Sequence, residues 1–197
     1  MELDGPKVHR ALANRIRPVL SERGFEHFDT RSSWRRTAQT VDVISFNTVG
    51  AYYAGVVGCT SMSFTGEVGV YYPALSDVPV EWPLPHAEDI AFRAGLGKTI
   101  RQPIFRPSAI GDDQPSVWYV LRDGSNLDAV VDDALAAVVG QALPYLDRLD
   151  DPDQAMEELL TMQLSNSDFG RLRIMGGRIG SPSRLHAIER LRPLLSD

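Results

Sequence analysis

Arginine beside aromatic side chains is the combination in this 197-residue sequence with the clearest chemical use. Trp34-Arg35-Arg36 falls in one β-prone run, and Arg93 and Trp118 fall in two later ones. Alternate side chains of a strand share a face, so if these strands adjoin, guanidinium and indole groups line one side of a sheet. A guanidinium grips carboxylate or phosphate through paired N–H donors and stacks on aromatic rings. Trp34, Arg35, Arg36, Arg93 and Trp118 are therefore a candidate seat for a small anionic ligand. The plainer expectation is that Trp fills the core while Arg reaches water.

The second candidate is electrostatic. The chain carries 20 basic and 26 acidic residues, net −6, which disfavours sequence-independent binding of nucleic-acid phosphates. Residues 123–165 hold ten of the acids and only Arg148 as a base. Asp128, Asp132 and Asp147 lie off the apolar stripe of a predicted helix, and Glu157 and Glu158 follow. Such a field steers a basic protein, as an immunity protein or antitoxin does when it covers a nuclease surface. Helix dipoles alone also favour acids in first turns, and a solvated helix needs no partner.

Other chemistries fail on spacing. Gly95-Leu96-Gly97-Lys98-Thr99 ends like a phosphate-binding loop, but Phe92 stands where the first glycine belongs and a strand-like stretch follows. Gly176-Gly177-Arg178-Ile179-Gly180 has no strand and acidic partner to frame a dinucleotide. His9, His27, His86 and His186 are isolated, so no metal site is expected. There is no Gly-x-Ser-x-Gly elbow, and lone Cys59 reads as a small core residue. No cofactor is implied, and a binding module is expected more than an enzyme.

The elements that must position these residues follow from periodicity. Val8, Leu12, Ile16, Val19 and Leu20 predict a helix over 6–23, kinked or ended by Pro18 and capped by Gly24. Strands are expected at about 33–38 and 40–49, broken by a Gly/Tyr/Ala segment at 50–58, and a hairpin is expected. The run 60–72 alternates, with Gly66 and Gly69 marking a bulge or close backbone approach. A proline-rich connection over 73–85, anchored by Trp82, leads to strands at 90–96 and 117–122. From 126 to 148 the apolar stripe predicts one long helix, kinked near Gly140 and Pro144. Asp151 and Ser181-Pro182 open two shorter helices. Strands first and helices last argue for an α+β fold, an antiparallel sheet of about five strands with helices packed on one face. Its expected core includes Leu12, Ile16, Phe46, Phe64, Val70, Val120, Val131, Leu135 and Val138.

These motifs resemble a known family. The helix end Arg17 to Phe25, Trp34-Arg35-Arg36, Val43 to Asn47, and Ser63-Phe64-Thr65 through Gly69 to Pro73 are similar to the bacterial domain-of-unknown-function family 4304. Phe92 to Leu96, Val117-Trp118-Tyr119 and Leu143 to Leu146 extend the likeness, which covers residues 8 to about 160. It implies the same helix, sheet, helices order and brings no assigned activity. The expectation is one domain over 1–197 with a C-terminal helical extension at 165–197, bacterial and cytoplasmic, with no membrane-spanning run.

Overall fold

The computed structural model describes residues 3–37, 40–71, 99–109 and 112–151, with Gln154, Ala155 and Glu158. An antiparallel sheet runs β1 (His27–Phe28), β2 (Ser32–Arg36), β3 (Val41–Thr48), β4 (Phe64–Tyr71) and β5 (Thr99–Ile104) in that order. A sixth strand, β6 (Val117–Trp118), pairs antiparallel with the start of β4, Phe64 opposite Trp118 and Thr65 opposite Val117. With helices at both ends of the described chain, the class is α+β. The expected strand at 90–96, the connection holding Trp82 and the helix opened by Ser181 lie outside the described residues.

Two compact units emerge from the packing. The first comprises Met1–Arg35, Ile44–Val68 and Gln102–Pro144. Its helix α1 (Gly5–Ser21) starts where the Asp4 carboxylate accepts the Lys7 N–H at 2.9 Å. Val8, Leu12, Ile16 and Leu20 form its buried side. Pro18 does not end α1, which runs to Ser21 and closes as expected at Gly24. There the Gly24 and Phe25 N–H groups bond to the carbonyls of Ser21 and Leu20, both at 3.1 Å, a closure that satisfies otherwise orphaned helix-end acceptors. β1 and β2 form a hairpin whose turn is pinned by Asp29, its carboxylate accepting the Arg31 and Ser32 N–H groups at 2.6 Å each.

Phe46, Phe64 and Trp118 form the aromatic centre of this unit, Phe64 stacked on Trp118 at 5.5 Å and Phe46 edge-on to both. Gly66 makes room for it: a Cβ there would lie 2.9 Å from Phe46 Cε1 and 3.3 Å from Trp118. The glycine marks a close approach, as its place in the strand pattern suggests. The strand expected over 117–122 stops at Trp118 because side chains take over the next backbone groups. Thr60 and Ser63 hydroxyls bond the Val120 carbonyl and N–H, and the Asn126 amide bonds the Tyr119 carbonyl and the Leu121 N–H.

The long helix is real but not uniform. It comprises α3 (Leu127–Ala137), a π-helical segment (Val138–Ala142) and α4 (Leu143–Leu149), with α2 being the short helix Ala51–Val57 described below. The ladder widens ahead of Pro144, and the Leu143 N–H bonds the Val138 carbonyl, five residues back. Gln141 projects from this segment and holds the Phe105 backbone on both sides, accepting its N–H at 3.2 Å and donating to its carbonyl at 2.8 Å. By length and composition the 23 residues Leu127–Leu149 pass as apolar enough to cross a membrane. Val131, Ala134, Ala137, Val138, Ala142 and Leu143 are nevertheless buried in this protein, as in a core helix. Of the expected core only Leu135 differs: it is half-buried, at the edge of the stripe that Val131, Ala134 and Val138 define.

The second unit comprises Arg36–Val43, Gly69–Arg101 and Tyr145–Asp197. Its described core is Val41, Val43, Val70, Tyr145, Leu146, Leu149 and Ala155. Asp151 caps the following turn as its sequence predicts, accepting the Gln154 N–H at 3.3 Å.

Candidate interaction site

The indoles expected to line a ligand seat are core side chains. Trp34 and Trp118 are each 1 % exposed. Trp118 donates Nε1–H to the Asp133 carboxylate at 3.0 Å, and Trp34 Nε1 has no hydrogen-bond partner among the described residues. Arg35 turns to its own hairpin, lying over the Phe25 ring at 5.5 Å and donating to the Arg23 carbonyl at 3.3 Å. Arg36 is exposed at the end of β2, and Arg93 lies outside the described residues. The two indoles thus fill the core: burial takes the large rings because their apolar area outweighs a surface role.

The acidic residues are placed unevenly. Asp128 is exposed in the first turn of α3. Asp132 pairs with Arg15 of α1 at 2.7 Å, and Glu158 accepts Arg148 at 2.8 Å and the Tyr145 hydroxyl at 3.3 Å. Asp147 is exposed on α4, and Glu157 lies outside the described residues. The Arg15–Asp132 pairing is one that the local sequence does not reveal, because Arg15 is 117 residues from Asp132.

What the sequence did not announce is α2. The Gly/Tyr/Ala segment that breaks the strand pattern folds as a helix from Ala51 to Val57, packing Ala54 inward and ending at Gly58 with φ +75°, a conformation an L side chain resists. The Cys59 N–H returns to the Ala54 carbonyl at 2.9 Å. Outward it presents Tyr52, Val56 and Tyr53 at 88, 68 and 44 % exposure. No charged residue occurs from Val43 through Gly66.

On its other flank α2 borders a groove of about 750 Å³. Ala51, Gly55, Cys59 and Met62 line one side, Asp4 and Gly5 of the α1 start another, with Thr60, Ser61 and the exposed Arg122 between. Cys59 is half-exposed here, which corrects its expected core placement. Beyond Cys59, Tyr119 lies under the Arg106 guanidinium at 5.0 Å, and Arg106 pairs with Asp112. Desolvation, followed by the Asp112 charge, raises the Tyr119 phenol above its usual value, and Arg106 opposes the shift.

Two buried polar residues also escaped the sequence. In the first unit His9 is 6 % exposed on α1, and its Nε2 has no partner among the described residues. In the second, Asp42 is fully buried and accepts the Thr40 hydroxyl at 3.1 Å, with Asp150 3.4 Å from the same oxygen. Among the described residues no cluster of three or more His, Cys, Asp or Glu side chains fits a metal ion. No protein-family model matches the chain, and no curated protein and no solved structure matches it.

Proposed function

We propose that the protein is a non-catalytic protein-interaction module that docks a basic protein on α2. The observation that carries this is the exposure of Tyr52, Val56 and Tyr53 on an uncharged helix. Apolar and aromatic side chains left in water on one element gain most from burial against a partner, and tyrosine is enriched in such contacts. The chemistry of the partner follows from charge: a chain at net −6 attracts a basic surface, and tyrosine faces accept Lys or Arg over the ring. An immunity or antitoxin role is the class of function that fits an acidic binder of a basic protein. The likeness to family 4304 and a bacterial, cytoplasmic setting belong to the same proposal.

The test is affinity capture from the source cell with the wild-type chain and with Tyr52→Ser/Val56→Ser. A basic protein held by the wild type and released by the folded double variant supports the proposal. Equal recovery by both, or capture of an acidic protein alone, counts against it.

A second reading, a small anionic ligand, draws on the groove beside α2. Arg122 lines it and makes no ion pair among the described residues, and the volume lies in the range of ligand clefts. Thermal stabilisation by succinate or phosphate that disappears in Arg122→Gln favours this reading over docking.

A further inference from the structure

The hairpin turn between β1 and β2 covers a second, much smaller cavity, about 30 Å³, whose lining includes His9, Arg17, Asp29, Arg31, Ser32 and Phe46. Its size is that of one water molecule or one monatomic anion. His9 is buried against it, and among the described residues nothing satisfies its Nε2. Among the described residues the charged groups of this lining are Arg17, Arg31 and Asp29. Arg17 of α1 donates to the Asp29 carbonyl and stacks over Phe28 at 5.5 Å, and Arg31 and Asp29 approach from the turn. Asp29 is the only carboxylate among these lining residues, and its Oδ1 already accepts two backbone N–H groups.

We propose that this cavity is a single-anion site, taken by a chloride-sized halide when His9 carries a proton. With neutral His9 the lining carries two guanidiniums against one carboxylate; a proton on the buried Nε2 adds a second net positive charge. A buried cation is costly unless paired, and a monatomic anion is the partner that the volume admits. Proton and anion therefore bind together, each strengthening the other. Burial, and then the Arg31 charge, hold the imidazole below its ordinary value while Asp29 opposes them, which is the background against which the anion acts.

The experiment is a histidine titration by NMR in sodium chloride and in sodium gluconate, a far bulkier anion, at equal ionic strength. At about 0.2 M salt, proton binding at His9 is expected to be roughly threefold tighter in chloride. The difference should vanish in Arg31→Gln, an exposed position whose replacement leaves the fold intact. Thermal melts give a second readout: chloride should raise the midpoint over gluconate at pH 5.5 and leave it unchanged at pH 8. Identical titrations in the two salts, meaning an occupant water only, overturn the proposal, as does a chloride effect undiminished in Arg31→Gln.

Discussion

Asp133 shows how a single side chain decides what an aromatic residue is for. Its carboxylate accepts the Trp118 N–H at 3.0 Å, which lets an otherwise buried indole sit in the core without an orphaned donor. Asp133→Ala should therefore cost about 1–3 kcal/mol in urea melts, while Asp133→Asn, which keeps an acceptor, should cost clearly less. His9 makes a second prediction. Its folded-state value is lowered by burial and by Arg31, so the unfolded chain binds the proton more tightly. Its contribution is complete above the unfolded value near 6.5 and is lost as pH falls from there through the folded value. Urea midpoints should drop between pH 7.5 and pH 5.5, and the drop should shrink in His9→Gln; an equal drop in both assigns it to other groups. The burial of His9 was legible in principle, since it stands three residues before Leu12 and seven before Ile16, on the apolar stripe itself. The fate of the arginines was not: Arg15 finds Asp132 and Arg35 finds Phe25 through tertiary contacts that no spacing encodes.

At the scale of elements, periodicity served where a stripe was long and failed where local bonding overrode it. α1 and the 127–149 helix stand where their spacing puts them, because many apolar side chains vote for one face. The strand after Trp118 was shortened by Thr60, Ser63 and Asn126, side chains whose role depends on being brought there by other elements. α2 was hidden by its composition, since Tyr and Val favour strands and Gly55 weakens a helix. Forcing Gly58 to carry a side chain should weaken this element: Gly58→Ala should cost about 1–2 kcal/mol by the left-handed penalty, seen as a lower urea midpoint. Gly66→Ala tests packing instead of backbone conformation. Its Cβ would meet Phe46 at 2.9 Å, so overpacking should cost about 1–3 kcal/mol, and Phe46→Leu in the same chain should relieve part of the loss.

For the whole molecule, charge and contact make separable predictions. A net charge of −6 acts at long range and its pull on a basic partner fades once salt shortens the screening length, whereas the α2 face acts only on touching. The two should therefore divide the kinetics of docking. Asp128→Asn/Asp132→Asn removes two negative charges from the exposed side of α3, and the Arg15 pair broken with it is a surface pair, worth about 0–1 kcal/mol, so the fold should survive. In stopped-flow mixing with the captured partner, this variant should associate more slowly at low salt, match the wild type at high salt and dissociate at the wild-type rate. Tyr52→Ser/Val56→Ser should do the reverse, leaving association nearly intact and speeding dissociation, since lost burial appears after contact. A charge variant that changes dissociation alone would place those aspartates in the contact itself, and a tyrosine variant that changes only association would remove α2 as the anchor.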